Sequence, residues 1–310
     1  MDVEQCRETK GSRRRGRSSG KGDCEEKRRN CPAERGLGKM LERTVTAART
    51  LPDFENPPAV ETLMGVHFAP IEKWQGPYFG LFWSRIKKDY PRVEIQPPIV
   101  TALTPEMALA QFQSRFELPM RCWFFNQDET RLIQVQNNMF LHNWRKVERT
   151  GKYLHYDELR PLFESEWEGF RGFLEGEGLG APVVQLCEVT YVNHIDRGNG
   201  WETFGELSEV LPNWSPKTSG NYLPSPEFVG VNASYALKGV EGRLQITAQP
   251  AVRQTDAKET IQLTVTARCK PSSSSNEQIY RCLSEARERV VLGFTDFTSP
   301  KMHKIWGRKI

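Results

Sequence analysis

Three observations on the sequence predict an α+β fold, in which an antiparallel sheet has its helices packed on one side. Strict alternation of apolar and polar residues predicts strands, most clearly between Thr260 and Arg268. Apolar residues three or four positions apart predict amphipathic helices. The order strand, helix, three strands, helix occurs twice. It predicts two β-α-β-β-β-α pseudo-repeats, at about 53–180 and 181–307.

The first pseudo-repeat opens at Asn56-Pro57-Pro58, because proline removes a donor and holds the residue before it extended. Proline also delimits its first helix, which starts at Pro77 and stops before Pro91. The predicted elements are a strand at 60–68, this helix, strands at 121–125, 131–137 and 139–145, and a helix from about Asp157 to a glycine-rich stop at 176–180.

The second pseudo-repeat has the same order and a longer final helix. Its predicted elements are a strand at 185–195, a short helix at 203–211, strands at 228–237, 243–252 and 260–268, and a helix with a capping box from Ser274 to Glu277. The final helix carries an apolar stripe of Ile279, Leu283, Ala286, Val290, Phe294 and Phe297.

The opening strands of the two halves also match residue by residue. Glu61 precedes His67 by six positions, and Glu188 precedes His194 by six. Together with the shared element order, this spacing favours an internal duplication.

Charge separates the folded unit from the chain before it. Residues 1–39 hold 12 Lys/Arg against 7 Asp/Glu, whereas the remainder holds 31 against 32. The sequence therefore predicts a disordered basic extension at 1–52 and one globular unit at 53–307. The sequence favours Met40 as the true initiator, with a nucleic-acid-binding arm as the alternative interpretation of the extension. A nucleic-acid-binding domain normally carries its positive charge on the fold itself, which this unit does not in bulk.

The seven cysteines contain no C-x-x-C pair and no Cys/His cluster at the spacing of zinc ligands. This pattern predicts reduced, packed thiols, no metal site and no cofactor. No apolar run reaches the roughly 18 residues of a membrane span, and no apolar stretch of a signal peptide is present at the N-terminus. The sequence therefore predicts a cytoplasmic protein without a membrane partner.

Several short motifs are shared with a family of bacterial proteins. They are Asn56-Pro57-Pro58-Ala59-Val60-Glu61, Asn143-Trp144-Arg145, the 188–193 segment Glu-Val-Thr-Tyr-Val-Asn, and His303-Lys304-Ile305-Trp306-Gly307. With them the chain resembles a sporadically distributed family of uncharacterised bacterial proteins about 250 residues long, across nearly all of 54–307. The resemblance implies no reaction, ligand or catalytic residue.

Five polar residues are candidates for a ligand site on the predicted sheet. Arg145 presents a guanidinium fork suited to a carboxylate or phosphate, with Asn143 as a second donor. Glu188 and His194 are about 20 Å apart along one extended strand, so an acid/base pair needs a Glu from one half and a His from the other. The candidate set is Glu61, Asn143, Arg145, Glu188 and Asn193.

The chain end offers a further candidate. Ser299 and Pro300 predict the start of a short helix, with Met302, Ile305 and Trp306 on one side. We expect the Trp306 indole to dock into the fold, with a partner-binding anchor as the alternative.

No G-x-S-x-G, H-E-x-x-H, Walker or kinase signature is present, so nothing identifies a catalytic residue and the balance favours a protein that is not an enzyme. The sequence favours a binding or protein-interaction role, with another protein or a second copy as partner. A nucleic-acid binder that uses the basic arm and the sheet face is the first alternative. A small-molecule-binding protein or an enzyme is the second.

Overall fold

Nine strands and four α-helices make up the fold in a computed structural model that describes residues 50–99, 120–147, 153–215, 220 and 222–309. The strands are β1 (Ala59–Phe68), β2 (Arg92–Gln96), β3 (Arg121–Phe125), β4 (Arg131–Gln136), β5 (Met139–Arg145), β6 (Val184–Asp196), β7 (Val231–Ala236), β8 (Gly242–Val252) and β9 (Glu259–Cys269). The helices are α1 (Pro77–Ile86), α2 (Tyr156–Gly176), α3 (Asn276–Phe297) and α4 (Pro300–Ile305), with a 3₁₀ helix at Phe204–Glu209. The predicted extension up to residue 49, including Met40, lies outside the described residues.

All nine strands belong to one antiparallel sheet in the order β2-β3-β4-β5-β1-β6-β9-β8-β7. The two opening strands of the predicted halves, β1 and β6, are therefore direct neighbours, with Leu63 opposite Thr190. The sheet continues from the first half into the second. Its edges are β2 and β7.

The helices pack on one face of this sheet, where they bury a shared aromatic core. The Phe82 ring of α1 lies 5.7 Å from the Phe124 ring of β3, and the Phe170 ring of α2 stacks 4.9 Å from the Phe140 ring of β5. The predicted stripe of α3 is buried along its whole length. Since a fully buried large side chain contributes about 1.5 to 3 kcal/mol, these faces supply much of the stability. The α+β fold is confirmed.

Helix starts follow the predicted capping chemistry with one shift. Ser299 caps α4 by accepting a hydrogen bond from the Met302 amide at 3.2 Å, as predicted. The cap of α3 is Ser275, whose hydroxyl accepts from the Gln278 amide, so the predicted start at Ser274 is wrong by one residue. Ser274 instead accepts a hydrogen bond from the Val184 amide at 2.9 Å, which attaches this loop to β6.

Strand β2 was not predicted. It follows Pro91 directly and, among the strands that the structure describes, pairs with β3 alone. Its side chains are therefore partly or fully exposed, and its five residues lack a buried stripe. A short edge strand of this kind gives a weak sequence signal because its pairing depends on a neighbour distant in sequence.

The Trp306 indole docks into the fold as predicted and is 3% exposed. Its ring lies 5.2 Å from the Phe294 ring and 6.1 Å from the Phe54 ring, so it joins both ends of the described chain to α3. In this position Trp306 offers no exposed surface for a partner.

The cysteines divide into two kinds. Cys122 and Cys187 are buried thiols, and burial raises their pKa values to about 11 and about 12, in agreement with packed, inert side chains. Cys269 and Cys282 form a disulfide between the end of β9 and α3, with their Cα atoms 6.7 Å apart. The prediction of separate thiols is wrong for this pair, because the sequence does not reveal that α3 brings Cys282 over the end of β9.

Within the described residues, no helix combines the length and the apolarity that crossing a membrane requires.

Candidate functional site

The sheet face opposite the helices, here called the polar face, holds four of the five candidate residues. In an antiparallel pair, residues directly opposite each other point to the same face. Glu61 lies opposite Arg145, and two positions further along β1 Leu63 lies opposite Asn143. Glu188 of β6 lies opposite Gly65, which shares the parity of Glu61. The four therefore share one face.

A chain of hydrogen bonds crosses the polar face from β3 to β1. Arg121 Nη1 and Trp123 Nε1 donate to Gln134 Oε1 at 2.7 and 2.8 Å. Gln134 Nε2 donates to Asn143 Oδ1 at 2.7 Å, and Asn143 Nδ2 donates to Glu61 Oε1. Both ends of the Asn143 amide are therefore occupied by neighbours.

A second cluster surrounds Glu188 where the two halves meet. His67 Nε2 lies 2.8 Å from Glu188 Oε2, and Arg268 Nε donates to the same oxygen at 2.7 Å. Thr190 donates its hydroxyl to the other carboxylate oxygen at 2.9 Å. Burial alone raises the pKa of Glu188, but Arg268 and His67 outweigh it and hold the pKa far below its ordinary value. Glu188 is thus a hydrogen-bonded structural carboxylate that is charged at neutral pH. His67 belongs to the first half and Glu188 to the second. A Glu from one half therefore contacts a His from the other, which is the combination that strand geometry allows.

The two halves place a glutamate opposite an arginine in equivalent positions, but with different contacts. Glu188 lies opposite Arg268 and is bound by it, whereas Glu61 lies opposite Arg145 without a direct hydrogen bond. The Arg145 guanidinium lies 6.0 Å from the centre of the Phe125 ring and makes no hydrogen bond or ion pair with any described side chain. Burial raises the pKa of Glu61, and the Asn143 hydrogen bond and the Arg145 charge offset this only in part. Glu61 and Arg145 are therefore held by fewer polar contacts than Glu188 and Arg268.

Asn193 does not belong with the other four. Its side chain lies on the helix-covered face, and its Nδ2 donates to the Leu263 carbonyl at 3.0 Å. A ligand site on one face of the sheet therefore cannot combine Asn193 with the other four candidates, because its odd position along β6 points it the other way. It lines a cavity of about 70 Å³ together with Tyr153, Tyr156, Tyr191 and Arg287, here called the tyrosine cavity.

A larger depression, here called the edge groove, has a volume of about 650 Å³ and lies where β8 ends and the chain enters β7. Its apolar lining comes from Trp201, Phe204, Phe228 and Val252. Phe228 and Val252 are 69% and 62% exposed, which is unusual for large apolar side chains so close together. Phe228 was predicted to open a strand, but β7 begins at Val231 and leaves Phe228 at the groove.

Charge is also uneven in the edge groove. Glu202, Glu227 and Glu259 line it against a single cation, Arg197, whose Nη1 lies 2.5 Å from Glu259 Oε2. After this ion pair is formed, the carboxylates of Glu202 and Glu227 remain as excess negative charge. The groove is therefore acidic. The sequence contains one signal of the groove that was missed, the run Pro224-Ser225-Pro226 shortly before the apolar Phe228.

Comparison of the chain with known protein families, curated proteins and solved structures finds no match. In the part of the chain that the structure describes, no group of three or more His, Cys, Asp or Glu side chains is arranged to hold a metal ion.

Proposed function

We propose that this chain is a non-enzymatic interaction protein that binds an extended segment of a partner protein along β7, with an apolar side chain of that segment in the edge groove. The observation that carries the proposal is the position of an acidic, apolar-lined groove at the end of an unpaired edge strand.

The edge strand supplies the backbone part of such an interaction. Within the described residues β7 pairs with β8 alone, so the main-chain groups along its other side have no strand partner. An exposed strand edge of this kind accepts an added strand, in which main-chain hydrogen bonds give affinity and pockets give specificity.

The edge groove supplies the specificity. Its exposed Phe228 and Val252 favour an apolar anchor, while the two carboxylates left by the Arg197 and Glu259 pair favour basic residues beside that anchor. The same negative charge disfavours the phosphates of a nucleic acid. A polypeptide with apolar residues at alternate positions and flanking Lys or Arg fits best.

A displayed library of random peptides tests the proposal, because the partner is not identified. Peptides selected on the full chain are labelled, and their binding is measured by fluorescence anisotropy to wild type, Val252→Glu and Val183→Glu. Val183 is also 62% exposed but lies outside the groove, so it is the matched control. We expect enriched peptides of the stated pattern that lose about tenfold affinity or more for Val252→Glu and none for Val183→Glu.

Four outcomes contradict the proposal. No enrichment, or equal binding to all three proteins, removes the groove as the site. Salt-sensitive binding of a single-stranded oligonucleotide that survives Val252→Glu supports the nucleic-acid alternative instead. A dimer seen by light scattering and lost in Val252→Glu identifies a second copy as the occupant.

We also infer that the two halves are repeats of one ancestral unit. The inference is supported by the equivalent placement of Glu61 opposite Arg145 and Glu188 opposite Arg268. The strand order β3-β4-β5-β1 mirrors β7-β8-β9-β6 about the centre of the sheet. An experimental structure in which these two sets of four strands do not superpose would remove the inference.

A further inference from the structure

The tyrosine cavity is a small, partly open space on the helix side of the sheet, away from the edge groove. It lies at the start of α2, where Tyr156 is the first helical residue, and against α3, which contributes Arg287. Its volume of about 70 Å³ corresponds to roughly two water molecules in the liquid, at about 30 Å³ each. A chemical group of a few heavy atoms fits.

The polar atoms that face the tyrosine cavity are mostly donors. Tyr156 is 4% exposed, and its hydroxyl makes no hydrogen bond of good geometry with a described residue, although Ser284 is close enough to lower its pKa. Arg287 Nε is likewise buried without a partner, and the guanidinium lies 4.9 Å from the centre of the Tyr156 ring. Buried donors left in this way point to a missing acceptor.

The three phenols remain protonated at neutral pH. Burial raises the pKa of Tyr156 to about 12, and burial also raises the pKa values of Tyr153 and Tyr191 above the ordinary value of a tyrosine. The hydroxyls of Tyr153 and Tyr191 hydrogen-bond to each other, and Tyr191 also to Arg287, so the Tyr156 hydroxyl is the one left with a hydrogen to donate. Arg287 adds a fixed positive charge, and the first turn of α2 adds the positive end of a helix dipole.

One carboxylate faces the same space and must be accounted for. Asp53 lines the tyrosine cavity, where its charge helps to raise the pKa of Tyr153, and its Oδ2 lies 3.3 Å from Lys309 Nζ in a half-exposed ion pair. His155 also lines the cavity, and its backbone amide donates to the Glu158 carboxylate at 3.0 Å at the start of α2. Arg287 makes no ion pair with any side chain in the described part of the chain.

We propose that the tyrosine cavity binds an oxyanion, the carboxylate or phosphate group of a small molecule, held by Arg287 and by the hydroxyl of Tyr156. This site is independent of the edge groove and of its partner. It gives the protein a ligand whose binding orders the contact between α2, α3 and β6.

Isothermal titration calorimetry on the full chain tests this proposal with sodium phosphate and sodium acetate as probes and sodium chloride as the blank. We expect phosphate, acetate or both to bind wild type. Tyr156→Phe keeps the ring and removes only the donor, and Arg287→Gln removes the charge. Each should weaken binding about tenfold or more, because hydrogen bonds to a charged group are the strong ones.

Arg281→Gln is the matched control, since Arg281 lies on the same helix, is exposed and pairs with Glu285. Its affinity should equal that of wild type. Tyr156→Phe should melt at the wild-type temperature or above it, since the lost hydroxyl has no partner of good geometry. Absence of binding of both anions to wild type overturns the proposal, and so does an equal loss in Arg281→Gln or no loss in Tyr156→Phe.

Discussion

His67 of β1 and Glu188 of β6 share a hydrogen bond of 2.8 Å between Nε2 and Oε2, although the two residues are 121 positions apart in the sequence. Both side chains are almost fully buried, and Arg268 binds the same carboxylate oxygen. The contact joins the two halves at the centre of the sheet.

Replacing Glu188 with Gln should reduce the free energy of unfolding by about 3 kcal/mol, because Arg268 is then left partly buried without its counter-charge. Urea melts at neutral pH measure this. Glu259→Gln is the control: its ion pair with Arg197 is solvent-exposed, and its loss should cost under about 1 kcal/mol. Equal losses in the two variants would contradict a special role for Glu188.

Replacing Glu61 with Gln should have the opposite effect on the free energy of unfolding. The pKa of Glu61 is raised, chiefly by burial, so its charged form is disfavoured in the folded state. This carboxyl contributes its full stability below its unfolded pKa and loses it as pH rises through its folded pKa. Glu61→Gln should therefore be at least as stable as wild type at neutral pH in the same urea melts. A loss comparable with that of Glu188→Gln would show that Arg145 holds Glu61 more tightly than we infer.

Acid should unfold the protein partly through Glu188. Its folded pKa lies far below the ordinary value of 4.5, so its contribution is fully present above that value and decreases as pH falls toward the folded pKa. Thermal melts of wild type should lose stability steadily below about pH 4.5. The Glu188→Gln variant should show a shallower slope over the same range. Parallel slopes would assign the acid sensitivity to other carboxyls.

Replacing Trp306 with Ala should cost about 3 to 5 kcal/mol, the usual range for deleting a buried large aromatic side chain. The indole packs against Phe294 and Phe54 and therefore supports both chain ends. Denaturant melts measure the loss, and Ile305→Ala, which removes an exposed neighbour on α4, is the control with a small expected effect. Unchanged stability of Trp306→Ala would restore the partner-anchor interpretation of this residue.

Gly65 should not tolerate even alanine. A Cβ at this position would lie 2.6 Å from the Phe140 carbonyl oxygen and 2.9 Å from Leu141 Cα, both of which belong to the adjacent strand β5. Gly65→Ala should therefore destabilise the protein by about 1 to 3 kcal/mol, the cost of overpacking a core. Gly80→Ala on α1 has open space around its Cβ and should instead stabilise by about 1 kcal/mol. Thermal melts of the two variants compare them directly.

Much of this fold follows from local pattern. The stripe of α3, the long helix α2 and the alternation in β9 each reflect a periodicity that burial imposes on consecutive residues. These elements were predicted with their buried faces because one segment of sequence contains all the information.

The site was predictable only in part. Strand parity places Glu61, Asn143, Arg145 and Glu188 relative to their own strands, and it separates Asn193 from Glu188. Which residues face each other across strands depends on register and on the order of strands in the sheet. The His67 contact with Glu188, the tyrosine cavity and the edge groove all arise from that tertiary order, and therefore no local pattern reveals them.

The central position of β1 has a consequence for how the chain is made. This strand is synthesised before every other strand of the sheet, yet its two neighbours are β5, about 80 residues later, and β6, more than 120 residues later. When the nascent chain has emerged only as far as β4, neither neighbour of β1 has been synthesised. Pairing between strands so distant in sequence is slow to form. Until β6 leaves the ribosome, β1 exposes an unpaired strand edge. We expect a chaperone to bind the nascent chain at this stage.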